Sequence, residues 1–456
     1  MRVKWLYVVM TLVSGTLSVT ADDTGYWTVD DCIVYAMQHN YNIRNKRIDT
    51  EIARAELQSA YGDFLPSVSV IGKSGRRLGH SVDPATNQYT SDAFWDNTVS
   101  LSVSLPIFEG LARINRVKFA RLNKAICGYA EKAAENSLAL EITEAYYRYS
   151  FDVEMHEIAS EQRRLGELYY EKMTEYIRLG MRPRSDISEL KARLQADRYH
   201  EHVKAHDCRL SMSALRELMG MDGADSVRVS REDIADTVSI DILDLTGLYD
   251  SATTSLPEYK IMQMRDEASR MAVSIAAGAL FPSVRMEFNV NSGCYTARNR
   301  SESIPSFGSQ LRNNLNRYVG ISVAVPLFDS LRRYKDIRKE KMRHRQVVND
   351  NERQRQALEN DIYDTFLSAR TAAEEFHLAG EQLESASVLW HQNEERWHEG
   401  LISGFELMES RNMYMQARME LVRAKLQYMF RSRMIHFYRT GSFIRHVSSC
   451  EDNRKY

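Results

Sequence analysis

The 456-residue chain carries 60 basic and 62 acidic residues, for a formal net charge of −2, and its mean hydropathy is negative. That balance excludes nucleic-acid binding driven by a basic excess and a solvating acidic tail, and the hydropathy excludes a multi-helix membrane protein. Only eight prolines and 21 glycines interrupt the chain, which favours long unbroken elements.

Residues 1–21 read as an export signal. Arg2 and Lys4 form a positive flank, Trp5 to Val13 is mostly apolar, and Val19-Thr20-Ala21 offers a cleavage site before Asp22. The apolar stretch falls short of the about 20 residues that a membrane anchor needs. Thr28, with Asp31 three residues on, predicts a helix over 29–60 opened by a relative of the capping box. Pro66 then ends that helix and starts a strand.

Between Asn97 and Leu105 the residues alternate. Val99, Leu101, Val103 and Leu105 share one face, and Ser100, Ser102 and Ser104 share the other. Pro106 closes the pattern and marks a junction with a proline-free helix from Leu111 to Arg178, about 100 Å long. Leu138, Ile142, Tyr146 and Tyr149 form a narrow apolar stripe along it, suited to coiled-coil packing. Gly180 stops the helix, and Pro183 suits the start of a returning one.

The chain then repeats itself. "FLPSVSV" from Phe64 returns as "LFPSVRM" from Leu280, an offset of 216 residues. "VSLPIFEG" returns as "VAVPLFDS", and "LGMRPRSDISEL" returns as "EGLISGFELMES", both offset by 220. Three matches at nearly one spacing predict two copies of one unit. The first covers 22–221 and the second 256–440, joined by a linker over 222–255 and followed by a tail over 441–456. Pro257 starts the opening helix of the second copy, and Pro326 marks its strand-to-helix junction. Leu358, Ile362, Phe366 and Ala369 repeat the stripe on a helix from Leu331 to Glu399 that stops at Gly400.

The strands, at roughly nine to eleven residues with one oily and one polar face, match tilted bilayer-spanning strands. Four of them cannot close a barrel, because open sheet edges are not viable in lipid. A ring of copies must share the wall: two would give eight strands and three would give twelve.

The order of elements resembles the TolC-type outer-membrane efflux proteins over essentially the whole mature chain. The residues that carry this are "WTVDDCIVYAMQHN", "FLPSVSV", "VSLPIFEG", "VAVPLFDS" and the two turns. The resemblance implies a mostly α-helical fold with transmembrane β-strands, assembled as a homotrimer. A twelve-stranded barrel in the outer membrane of a Gram-negative bacterium would continue into a periplasmic helical tunnel. A periplasmic adaptor and an inner-membrane pump are the implied partners besides outer-membrane lipid, and the implied activity is a passive exit duct. Acidic residues ring the tunnel entrance in that family. The matching positions are Glu406 and Glu409, with Asp186 and Glu189 at the same steps in the first repeat. Leu179, Gly180, Gly400, Leu401 and Ser403, at the hairpin tips, are the implied adaptor-docking residues. Where the family has an arginine two residues after the second-turn glycine, this chain has Ile402.

No enzyme, cofactor or metal is expected. His200, His202 and His206 lie on a charged helix without a completing carboxylate. His391 and His398 lack the H-E-x-x-H arrangement, and no nucleophile with a base and its orienting group is organised. The five cysteines are sparse and form no CxxC. The competing reading is a soluble periplasmic coiled-coil scaffold or adaptor whose hairpins pack as a dry sandwich.

Overall fold

The computed structural model describes residues 26–82, 89–91, 93–181, 184–221, 228–230, 245–297 and 306–444. The export signal, most of the inter-repeat linker, the tail beyond 444, Arg182, Pro183 and Cys450 lie outside them. By contacts the chain forms two compact units. One comprises 1–45, 133–256 and 359–456, and the other 46–132 and 257–358. Each unit draws on both sequence repeats, because each long helix passes from one unit into the other.

The second unit holds a four-stranded antiparallel sheet of order β1-β4-β5-β6, with β1 Ser67–Arg77, β4 Phe94–Glu109, β5 Ser283–Ala297 and β6 Asn316–Ala324. A short hairpin, β2 Ser81–Val82 and β3 Tyr89–Thr90, and helix α7 Phe307–Asn313 lie in its loops. The central strands, at 16 and 15 residues, exceed the expected length. They pair with each other from Phe94 against Ala297 to Glu109 against Ser283, so the ladder continues where the hydropathy alternation has ended. The strand register repeats with the sequence: Ser67 faces Ser104 and Val68 faces Val103 in one hairpin, while Ser283 faces Ala324 and Val284 faces Val323 in the other. Pro106 does not end its strand as expected. It sits at a bulge between Pro106 and Phe108, where the interrupted ladder tolerates a residue without an N–H, and β4 runs on to Glu109. Pro326 lies past the end of β6.

The helix expected over 29–60 is two, α1 Val29–His39 and α2 Tyr41–Gly62. Asn40 breaks it, because its side chain accepts from the Asn42 N–H at 2.8 Å and donates to the Leu218 carbonyl at 2.9 Å. The Thr28–Asp31 capping box is complete. The long helices, α3 Ala112–Arg178 and α8 Arg332–His398, have 67 residues each. They are followed by α4 Ser185–Met219 and α9 Gly404–Thr440; α5 Leu245–Ser255 falls in the linker, and α6 Pro257–Gly278 opens the second copy. Pro257 opens α6 where its missing N–H costs nothing.

The stripe read from the sequence is largely buried, with Leu358 and Phe366 only half-buried. Leu138, Ile142, Tyr146 and Tyr149 are buried on α3, as are Ile362 and Ala369 on α8. The Tyr146 hydroxyl donates to the Trp27 carbonyl at 3.1 Å or that of Ser230 at 2.9 Å, tying the chain's entry segment to the bundle. Arg433 on α9 adds an ion pair to Asp30 at 2.8 Å. Cys127, Cys208 and Cys294 are thiols.

Candidate functional site

Two places concentrate the expected functional residues: the helix-hairpin tips of the first unit and the strand-to-helix junctions of the second. At the first tip α3 ends in a Schellman motif. The Gly180 N–H reaches the Ile177 carbonyl, the Met181 N–H reaches that of Tyr176, and Gly180 has φ +75°. The second tip repeats it, with Gly400 N–H to Trp397, Leu401 N–H to Arg396 and φ +80°. A Cβ on either glycine would meet nothing within 4 Å. The backbone conformation, not crowding, therefore demands glycine at both. Leu179 and Leu401 point into solvent, 56% and 65% exposed, and Met181 and Phe405 join them as uncovered apolar groups.

Beneath these exposed side chains the two hairpins share a core. Tyr169 and Met173 of α3, Leu190 of α4, Trp397 of α8, Ile402 in the second turn, and Leu407 and Met408 of α9 pack together. Tyr169 and Trp397 meet edge to face, 5.5 Å between centroids, and the Tyr169 hydroxyl donates to Glu394 at 2.9 Å. Burial, reinforced by that carboxylate, pushes the Tyr169 phenol well above its usual range. Ile402, at the position where the resemblance would place an arginine, is buried in this core and carries no charge.

The acidic residues differ in their commitments. Ser403 caps α9: its hydroxyl accepts from the Glu406 N–H at 3.2 Å, and the Glu406 carboxylate accepts from the Ser403 N–H at 2.8 Å and hydroxyl at 3.0 Å. This capping box was legible as S-x-x-E at 403–406. The Ser403 N–H holds the Glu406 carboxyl below its ordinary value, so the group stays charged in mild acid while remaining solvent-exposed. Glu409 is exposed one turn on. Glu189, on α4, pairs with Arg193 at 3.4 Å, and Arg193 in turn lies over the Phe405 ring at 5.5 Å. Asp186 falls in the first turn of α4, its side chain outside the described ones.

Seven residues into α9 lies a contact that the sequence reading missed. Arg411 and Asp197, 1% and 6% exposed, form an ion pair at 3.0 Å. Gln162 of α3 donates to the other Asp197 oxygen at 2.8 Å, and its carbonyl accepts from Arg411 at 3.3 Å. Gly166 makes room, since a Cβ there would sit 2.9 Å from the Asp197 carboxylate. Three helices are therefore locked together near the tips by one buried charge pair. Its only sequence signal is the helix-interior glycine.

At the first junction Gly110 (φ +58°) and Leu111 (φ +64°) make two left-handed steps between β4 and α3. A Cβ on Gly110 would lie 2.2 Å from the Gly278 carbonyl oxygen. Ser330 (φ +57°) and Leu331 (φ +64°) repeat the turn before α8. Glu109 there accepts from Arg113 at 3.0 Å and Arg285 at 3.4 Å. Among the described residues no cluster of three His, Cys, Asp or Glu could hold a metal, and His200, His202 and His206 are exposed.

The fold has solved counterparts. The chain is similar to CusC (TM-score 0.78, 15% identity, 93% of this chain and 96% of that one), whose structures concern folding and transmembrane channel formation. It is similar to the CmeC outer membrane channel of Campylobacter jejuni (TM-score 0.77, 14% identity, covering 91% and 85%). It also resembles the outer membrane protein VceC of Vibrio cholerae (TM-score 0.75, 14% identity, covering 90% and 96%). No curated protein sequence matches it. The outer membrane efflux protein family model matches residues 32–221 and 248–433. The chain therefore belongs to the outer membrane efflux protein family and is located in the outer membrane.

Proposed function

We propose that the chain is one subunit of a passive, trimeric exit duct, which takes substrates from an inner-membrane pump across the periplasm and outer membrane in a tripartite efflux or type I secretion system. The observation that carries this is a four-stranded sheet with two open edges and an uncovered apolar face. Val68 and Val70 of β1 and Val319, Ile321 and Val323 of β6 are all 61–69% exposed. Such a sheet would be an aggregation hazard in water and becomes a barrel wall when copies pair edge to edge in lipid. A soluble scaffold would leave this face bare. The channels among the structural neighbours support the same reading.

The internal repeat supplies the register of the seam. β4 pairs with β5 so that Leu101 faces Val290 and Val103 faces Phe288. Shifting each strand by its repeat offset sets β6 of one copy against β1 of the next, with Ile321 facing Ser74 and Val323 facing Gly72. Gly62, the counterpart of Gly278, has nothing within 4 Å of its would-be Cβ, so this position is open.

The hairpin tips form the entrance and the adaptor-docking surface. Leu179, Gly180, Gly400, Leu401 and Ser403 offer apolar and backbone contacts, and Glu406 and Glu409, with Asp186 and Glu189, ring the constriction. A narrow acidic ring favours cations. In planar-bilayer recordings the wild type is expected to conduct and to prefer cations, and Glu406→Gln with Glu409→Gln is expected to lower that preference several-fold. Absence of any conductance would remove the duct; conductance with unchanged selectivity would remove only the gate.

A further inference from the structure

The start of α8 reads "RRYKDIRKEKMRHR", eight Arg or Lys against two acids over residues 332–345. The remainder of the same helix holds four Arg or Lys against eleven acids. A net positive charge is therefore confined to the four turns that follow the strands.

In the first repeat three bases near the start of α3 are answered within the chain, while Lys118, the counterpart of Arg338, is exposed. Arg113 pairs with Glu109, Arg116 with Asp63 at 3.5 Å, and Arg121 donates to the Tyr61 hydroxyl at 2.8 Å. In the second repeat Arg333 pairs with Asp329 and Arg343 with Glu340, while His344 turns to Ser269 and Asp266. The counterpart of Asp63 is Ala279 and that of Arg116 is Asp336, so this pair has no equivalent in the second repeat. Arg332, Lys335, Arg338, Lys339, Lys341 and Arg345 are exposed and meet no carboxylate among the described residues. Beside them, Leu327, Phe328 and Tyr334 stand 92%, 80% and 64% exposed, an apolar and aromatic collar at the strand ends.

Cations one to four turns beyond a membrane-spanning strand, with aromatics at the boundary, match the charge and depth of phosphate headgroups. We propose that the first turns of α8 form a binding site for anionic glycerophospholipid headgroups in the periplasmic leaflet of the outer membrane. The strand-proximal cations Arg332, Lys335, Arg338 and Lys339 hold the phosphates, and Phe328 and Tyr334 lie against the acyl boundary. The site rests on the barrel reading above, which sets the depth of the strands.

The test uses the full-length mature protein in nanodiscs of phosphatidylethanolamine with and without phosphatidylglycerol, counting lipids retained per assembly by native mass spectrometry. The wild type is expected to retain phosphatidylglycerol in preference. The variant R332Q/K335Q/R338Q/K339Q should lose that preference at least about tenfold while assembling normally, and R332K/R338K should keep it. Equal retention of both lipids by the wild type would overturn the site. Displacement by millimolar inorganic phosphate would also overturn it, by showing a site for the free anion. So would loss of assembly in the glutamine variant alone, by showing that a neighbouring copy covers these cations. Failure of the wild type to enter the bilayer would instead sink the barrel reading.

Discussion

Gly110 concentrates at one residue what the strand-to-helix junction demands. It adopts φ +58° and lies against the Gly278 carbonyl at a distance no Cβ allows. Gly110→Ala therefore meets both a conformational and a steric penalty, at least about 2 kcal/mol together. Gly128→Ala, on an open face of α3, should be neutral or stabilising by up to about 1 kcal/mol. Thermal unfolding of the two detergent-purified variants compares them, and equal midpoints would show that the junction relaxes freely. Gly180 and Gly400 were readable in the sequence because a helix stop needs only a local backbone conformation. Gly110 was readable as a turn residue, but not as a contact, since its partner lies in the other repeat. Glu406 was visible as an acid near a helix start; that it closes a capping box with Ser403 was equally present in the spacing and went unread. Its carboxylate, proposed above as an entrance charge, is thus also a helix cap.

At the scale of elements, the long helices were legible to within a residue, because 67 residues without proline carry a steady helical stripe. Strand ends were less legible: the residues at 94–97 and 291–297 follow no hydropathy pattern, the first held by ladder bonds to both β1 and β5 and the second, beyond Asn291, by bonds to β4 alone. The break at Asn40 arises from side-chain bonds to a helix some 180 residues away, which no local window contains. Packing of α3, α4 and α9 depends on the Arg411–Asp197 pair. Asp197→Ala strands a buried guanidinium and should cost about 3 kcal/mol or more, whereas Asp197→Leu with Arg411→Met should recover most of that loss. Denaturant midpoints for the single and double variants measure this. A silent single variant would mean that solvent reaches the pair.

For the whole molecule, the two-fold repeat was the most legible feature, and the matching strand registers of the two hairpins show how closely structure follows it. The division into compact units was not legible, because both long helices run through both units. Nor does one sequence decide how many copies close the ring: the hydropathy alternation is satisfied by any number that seals the edges. The repeat does specify how each seam must pair. The most direct test is oxidative cross-linking of a full-length variant with cysteines at Ile321 and Ser74, compared with cysteines at Ile321 and Arg76. An offset of two residues moves the partner beyond disulfide reach. Cross-linked species up to three chains for the first pair, and little for the second, are the result expected. Uncross-linked monomer for both pairs, or preference for the shifted pair, would contradict the shared barrel wall.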